Sequence, residues 1–142
     1  SKLIDILPEN LPPRPWYLGG EWFQHGFMLS KDIMNFCDYF DLGITYDICH
    51  ASLYCNEFGV DLAEYTKEII PRVRHIHISD AYGNNGEGVQ IGEGSIDFDK
   101  VLKEVLDYQF TWVPEIWSGH LHQGAGTYKC MQILNEKYSK EL

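Results

Sequence analysis

Basic residues are scarce in this chain. Lys and Arg together number 11 against 21 Asp and Glu in 142 residues, which leaves a formal net charge of −10. Affinity for nucleic acid rests on cationic side chains that neutralise phosphates, so this balance argues against such a partner unless a local basic groove forms. Acidic residues in excess are also available as metal ligands. Cysteine is sparse too: the four residues, at 37, 49, 55 and 130, form no CxxC pair and show no Cys/His spacing of the zinc-finger kind. Cys37 and Cys130 fall in helical patterns and read as small buried hydrophobes. Cys49 and Cys55 flank a candidate site, but no base is evidently paired with either, which argues against a catalytic thiol. No apolar run approaches the roughly 20 residues a membrane helix needs, and no secretory signal pattern is seen. The expectation is a cytoplasmic protein with reduced thiols and no membrane partner.

What is present suits one domain with a real core. The apolar fraction is 44% and aromatics make up 14%, values of a chain that folds. Four short segments rich in Ile, Val and Thr read as buried strands: Leu3 to Leu7, Ile44 to Ile48, Val73 to Ile78 and Thr111 to Ile116. Helical patterns lie between them. Ser30 to Phe40 opens on a Ser30 cap and groups Ile33, Met34, Phe36 and Cys37. Val60 to Ile70 stops before Pro71. Asp97 to Gln109 carries Phe98, Val101, Leu102, Val105 and Leu106, and Thr127 to Lys140 carries Met131, Leu134 and Tyr138. The order is β-α-β-α-β-α-β-α, an α/β fold with a parallel sheet and right-handed crossovers. The longest loops, Glu9 to Leu29 and Ser79 to Ser95, follow strands, and such loops carry the chemistry of βα-barrels. About four βα units amount to half of a TIM-type barrel, since a whole one takes about 250 residues. The chain is then a piece of a longer protein or a half-barrel that pairs with another.

Each expected strand ends in groups that bind metal: Glu9 and Asn10, then Asp47 to His50, then His77, then Glu115. Parallel neighbours lie roughly 5 Å apart, so three carboxylates and one imidazole at successive strand ends can converge on one cation. The set Glu9, Asp47, His77 and Glu115 suits Mn²⁺, Mg²⁺ or Co²⁺, with Zn²⁺ also compatible. Fewer protein ligands than an octahedron requires leaves positions for substrate or water. The competing reading has Asp47 and Glu115 capping turns or pairing with Arg72 or Arg74.

The stretches LPEN, YDICHA, HIHISD, IGEGSIDF and PEIW resemble the second half of the xylose-isomerase-like barrels. That superfamily includes sugar and sugar-phosphate isomerases and epimerases and the endonuclease IV type of apurinic-site nuclease. The resemblance implies a C-terminal half-barrel spanning residues 1–142, with metal at Glu9, Asp47, His77 and Glu115. In the epimerase branch it also implies that Glu9 and Glu115 exchange the proton beside a carbonyl. The physical logic agrees, since a divalent cation on a carbonyl and hydroxyl pair acidifies the adjacent C–H, which carboxylates then exchange. His50 matches a position that contacts substrate oxygen in epimerases or a second metal in the nuclease; the competing reading is a turn histidine. Two family features are missing. The nuclease has Asp-x-His before its G-E-G, where this chain has Gly86-Glu87-Gly88. Epimerases often place an Arg after the His77 position, where this chain runs Asp80 to Asn85 without one.

Other residues stay open between two readings. His75 shares the His77 strand face and reads as a satisfied interior histidine. Gly92-Glu93-Gly94 reads as a turn into an Asp97 helix cap, with Glu93 either turned to the site or away from it. His120 and His122 precede the last helix, where an anionic group of the substrate can bind; the other reading is an exposed loop. Trp16, Trp22, Phe23 and His25 either stack on a sugar ring or pack on another half-barrel. The expected function is that of a divalent-metal-dependent sugar or sugar-phosphate isomerase or epimerase. The alternatives are an endonuclease IV-like phosphodiester hydrolase and a non-catalytic half-barrel or assembly partner. Expected partners are a small sugar or sugar phosphate and either a missing N-terminal half-barrel or a second copy of the chain.

Overall fold

The computed structural model describes residues 4–17, 20–23 and 26–138, with the backbone alone at positions 16, 17 and 21. Leu3, His25 and Lys140, and the Trp16 side chain, lie outside what is described.

A parallel sheet of three strands forms the middle of the chain. β3 (Ile44–Asp47), β4 (Val73–Ile78) and β7 (Thr111–Pro114) lie side by side in that order. The registers set Asp47 beside His77 and His77 beside Val113. Glu9 adds a parallel bridge to Thr45 on the outer side of β3, with the Thr45 amide donating to the Pro8 carbonyl at 2.9 Å. Four chain segments therefore run in parallel in sequence order. The sheet is not closed, which makes this an α/β partial barrel.

The first segment corrects the expectation of a buried strand. Residues 5–8 form no ladder, and Ile4 and Ile6 are 79% and 67% exposed. Pro8 has no N–H to give a neighbour, and no described residue covers the outer side of this segment. The other three strands stand close to where the sequence places them.

The helices cover one face of the sheet. They are α1 (Ser30–Phe40), α2 (Ile48–Phe58), α3 (Leu62–Ile69), α4 (Phe98–Lys103) and α5 (Leu121–Tyr138), with a 3₁₀ turn at Ile70–Arg72. Ile33, Cys37, Ile44, Tyr46, Ile69, Ile76, Ile78, Val101 and Cys130 build the core between sheet and helices. On β4, Ile76 and Ile78 point into that core while His75 and His77 point to the opposite face, the period-two rule of a strand.

Several local expectations change. Ser30 does not cap α1: Leu29 holds the cap position without a side-chain bond, and the Ser30 hydroxyl goes to Glu68 on α3. Phe36 turns outward and packs on Phe27 and Phe40, and Met131 is also exposed. Asp97 caps α4 as expected, accepting from the Lys100 amide at 3.0 Å, but that helix stops at Lys103 and continues as turns. α5 begins earlier than expected and is broken at its start, with His122, Gln123 and Gly124 at positive φ.

Two short antiparallel pairs occupy the long loops. β1 (Trp16–Tyr17) pairs with β2 (Gly20–Glu21), and β5 (Asp80–Tyr82) pairs with β6 (Gly86–Val89). No helix among the described residues is long and apolar enough to cross a membrane.

Candidate metal centre

β3 hands the chain directly to α2, and Asp47 sits at the junction. Its Oδ1 accepts the His50 amide at 2.8 Å, so Asp47 is the N-cap of α2. Its backbone is held by Asn10 in a reciprocal pair. The Asn10 amide nitrogen donates to the Asp47 carbonyl at 2.9 Å, and the Asp47 N–H donates to Asn10 Oδ1 at 2.8 Å. Both residues are fully buried. The D-x-x-H spacing thus carries two functions: it starts a helix, and it puts His50 on the first turn facing back over the strand ends.

His77 projects from β4 on the face opposite the core, with His75 one layer below. His75 Nδ1 is satisfied by the Thr111 hydroxyl at 2.6 Å, and the two rings stand perpendicular at 5.1 Å. Glu115 follows β7 and is tied to β4 by its N–H donating to the Ile78 carbonyl at 3.0 Å. The ligating atoms of Glu9, Asp47, His77 and Glu115 all lie within 4.8 Å of one another. His77 Nδ1 is 2.7 Å from Glu115 Oε2, 3.6 Å from Glu9 Oε1 and 3.8 Å from Asp47 Oδ2. Even the nearest of these contacts lacks hydrogen-bond alignment, so the Nδ1 atom is buried with no hydrogen-bond partner. A buried polar atom left this way is costly unless a cation takes it. Three carboxylate oxygens around one imidazole nitrogen are a donor set for a hard or borderline divalent ion, and the residues present fit such an ion.

The charges are arranged tightly. Burial opposes ionisation of Glu9, but the His50 and His77 imidazoles beside it outweigh that and pull its carboxyl down to about 2. Burial pushes Asp47 up to about 7, against the pull of His50. Burial also opposes the charged form of His50, but Asp47, Glu87 and Glu9 override it and hold the imidazole up at about 11. His77 rises to about 10 through Glu115 and Glu9, and Glu115 is lowered in turn by His77. Without metal, the imidazoles supply the positive charge that the carboxylates demand. A metal ion would displace the proton of His77.

The competing assignments resolve on geometry. Arg72 pairs with Asp38 at 2.8 Å and Asp41 at 3.1 Å, and Arg74 donates to the Val73 carbonyl. Neither reaches Asp47 or Glu115 in these contacts. Asp47 does cap a helix, and it faces the cluster with its other oxygen. His50 is engaged on both sides, with Nδ1 at 3.0 Å from the Asn10 carbonyl and 3.2 Å from Glu9 Oε1, and Nε2 at 3.2 Å from Glu87 Oε1. Glu93 is exposed and pairs with Lys129 at 2.7 Å. His120 and His122 are exposed at the broken start of α5, and the cluster assembles without them. Trp22 and Phe23 are exposed as well. All four cysteines are free and buried, and burial pushes Cys49 and Cys55 up, Cys55 to about 12, which disarms them as nucleophiles.

Sequence reasoning missed the roles of three residues here, Asn10 among them, which it offers only as a metal-binding group at a strand end. Asn10 holds the Asp47 backbone. Glu87 reaches His50 from the β5–β6 hairpin. Asp80 is a fully buried carboxylate that accepts the amides of Ala81 at 2.8 Å, Gly92 at 2.9 Å, Gly94 at 3.0 Å and Ile96 at 3.1 Å. Asp80 therefore clasps the turn after β6 onto the end of β4. A Cβ at Gly94 would lie 2.3 Å from Asp80 Oδ1 and 2.4 Å from the Ala81 carbonyl, so glycine is required for that approach. The signal available was the Asp of HISD standing a dozen residues ahead of glycine-spaced amides. Gly86 and Gly88 are also sterically required. A Cβ at Gly88, where φ is +68°, would sit 2.1 Å from the Trp117 ring, and one at Gly86 would sit 2.5 Å from the Tyr82 carbonyl and 2.6 Å from its ring. The Asp-x-His of the nuclease pattern is absent here.

Parallel strands whose C-terminal ends gather three carboxylates and an imidazole define a partial α/β barrel with a metal-competent centre. The chain belongs to the family described as xylose isomerase-like TIM barrel, which matches residues 2–137. An uncharacterized protein of Methanocaldococcus jannaschii is 28% identical over 114 residues, covering 78% of this chain and 38% of that protein. Among solved structures, a D-tagatose 3-epimerase-like protein aligns with a TM-score of 0.63 at 23% identity, over 94% of this chain and 49% of that one. The probable 3-DHS dehydratase AsbF of Bacillus anthracis aligns at 0.67 and 18%, over 94% and 50%. The 3-keto-D-glucoside 4-epimerase YcjR of E. coli aligns at 0.63 and 20%, over 93% and 46%. These identities speak for the fold. The chain spans about half the length of those structures and less than half of the curated relative.

Proposed function

We propose that this chain is the C-terminal half-barrel of a divalent-metal-dependent sugar or sugar-phosphate isomerase or epimerase, with Glu9, Asp47, His77 and Glu115 as the metal ligands. The observation that carries the reading is the buried Nδ1 of His77, without an aligned hydrogen bond, among three carboxylates whose ligating atoms lie within 4.8 Å. The presence of two sugar epimerase-type proteins among the fold neighbours supports it. Mn²⁺, Zn²⁺, Mg²⁺ and Co²⁺ all suit the donor set.

A bound divalent ion would acidify the C–H beside a carbonyl and offset the negative charge that develops there. Glu9 and Glu115 then serve as base and acid: one takes the proton from carbon, and the other returns a proton to the same or the neighbouring carbon. Glu9 is suited to the base role because the neighbouring imidazoles keep it ionised. Asp47, with its backbone fixed by Asn10 and one oxygen committed to the helix cap, is suited to holding the ion and not to moving protons. His50 orients substrate oxygen. The remaining wall of the pocket comes from an N-terminal half-barrel or a second copy of this chain.

The test is metal content by elemental analysis and solvent-proton exchange into candidate sugars, on this chain with and without the N-terminal half. About one divalent ion per chain, lost in Asp47→Asn with His77→Ala, is expected. Glu9→Gln and Glu115→Gln are expected to keep the fold and lose exchange. Metal-bound variants that exchange normally would remove Glu9 and Glu115 from the reaction. Metal binding with no activity in either assembly would favour the non-catalytic half-barrel.

A further inference from the structure

Glu87 leads from the metal centre into a second space. A cleft of about 470 Å³ lies between the β5–β6 hairpin and Trp117, and its lining includes Tyr82, Asn85, Glu87, Glu93 and Ile116. Glu87 Oε1 is 3.2 Å from His50 Nε2, and His50 in turn is 3.2 Å from the metal-ligand candidate Glu9. The cleft therefore adjoins the centre through one histidine.

We propose that this cleft binds an uncharged polyhydroxylated ligand of monosaccharide size and rejects its phosphate ester. The proposal rests on the reading above, and it narrows the substrate of that same site.

Size, walls and charge each contribute. Small-ligand clefts span about 300–1,000 Å³, which admits one sugar ring with its water. Trp117 is 53% exposed and Tyr82 55% exposed, and both are built into the wall by glycine. Gly88 lets the Trp117 indole lie against the backbone, and Gly86 does the same for Tyr82. The Trp117 backbone N–H donates to the Gly88 carbonyl at 2.8 Å, which anchors the residue beside the hairpin. Asn56 on α2 braces the hairpin tip by donating to the Gly83 carbonyl at 2.9 Å. Aromatic rings held in this way suit the C–H face of a sugar. For hydroxyls, Glu87 has acceptor capacity beyond its single contact with His50, and the Asn85 amide can both donate and accept.

Charge separates the neutral sugar from its ester. Among the described residues, no Lys or Arg lines the cleft. The two carboxylates of the lining are paired with cations outside it, Glu87 with His50 and Glu93 with Lys129. A phosphate dianion would enter a space with two carboxylates and, among the described residues, no cation to receive it, an arrangement that like-charge repulsion disfavours.

The experiment is ligand-observed saturation-transfer NMR on the full chain, with and without Mg²⁺. The probes are ketopentoses, ketohexoses and inositol, each beside a matching phosphate ester. At least one neutral compound is expected to bind, with its ester weaker by tenfold or more, on the order expected for an unmatched charge. Trp117→Ala is expected to weaken the neutral ligand about tenfold, and Glu87→Gln is expected to weaken it with metal content unchanged. Esters binding as well as the neutral compounds, no binding by any probe, or an unchanged affinity in Trp117→Ala would each overturn the proposal. Sugar binding without metal or proton exchange would count against the catalytic reading and leave the cleft standing.

Discussion

At the scale of single residues, Asp47 shows how one side chain can be both structure and chemistry. One oxygen caps α2 and the other faces the cluster. Asn caps helices as well as Asp does, so Asp47→Asn separates the two functions. Metal content is expected to fall to background while the melting temperature in chelator holds or rises, because the variant removes a buried charge that burial already disfavours. Elemental analysis and a thermal melt check it, and a melt lowered by many degrees would mean the ligand oxygen is also structural. pH acts on the same group. Its folded value of about 7 stands above the ordinary 3.8, so between those values the metal-free fold holds a proton that the unfolded chain has lost, and stability falls as pH rises. His77 and His50, raised from 6.5 to about 10 and about 11, contribute stability that is whole below 6.5 and lost as pH climbs through 10 to 11. The metal-free melting temperature is therefore expected to decline from pH 6.5 to 10. Metal affinity moves the other way. Protons on Asp47 and His77 compete with the ion, so Mn²⁺ binding tightens between pH 6 and 8.5, by up to about tenfold per pH unit for each proton displaced. Chelator competition at the two pH values reads this directly, and a flat response would remove His77 from the ligand set.

At the scale of elements, the clasp made by Asp80 decides how the loop after β4 is shaped. Asp80→Ala leaves four backbone amides without their acceptor, at a cost on the order of 3 kcal/mol or more. Gly94→Ala, whose Cβ would meet the same carboxylate, is expected to lose stability as well, and urea unfolding measures both. Much of this level was legible in the sequence. The strands at 44–47, 73–78 and 111–114 were visible as short β-branched runs, and their polar ends pointed to the four residues that the fold brings together. α2 was not legible. Its residues Ile48, Cys49, Ala51, Leu53, Tyr54 and Cys55 are buried on nearly all sides, so it has no polar stripe for periodicity to detect. The β5–β6 hairpin escaped because its strands are three and four residues long and the second is glycine-rich, which leaves no alternation to count. Glu87 was invisible for the same reason: only the hairpin brings it to His50. The segment before Glu9 misled in the opposite direction, since Ile4 and Ile6 carry a strand's composition without a strand's partners.

At the scale of the whole molecule, the parallel sheet ends at β7 on one side and at the short Glu9 bridge on the other. Ile4, Ile6 and Val113 are exposed near those borders, and open parallel edges with apolar neighbours invite association. The chain alone is expected to self-associate at micromolar concentration in sedimentation, and Val113→Lys is expected to shift it toward monomer. A monodisperse monomer in the unsubstituted chain would show that these borders need no cover. The Asp80 clasp has a different consequence for kinship. H-I-x-D followed by G-E-G is part of the pattern by which this chain resembles its family, yet here its aspartate grips backbone amides and its second glycine, Gly94, makes room for that grip. Apart from His77, which faces the metal centre, the signature is a joint and not a reagent. A protein could inherit it whole while its substrate changed many times over, so shared membership speaks for a common carpentry, and the trade practised inside must be learned from the handful of side chains the joint leaves free.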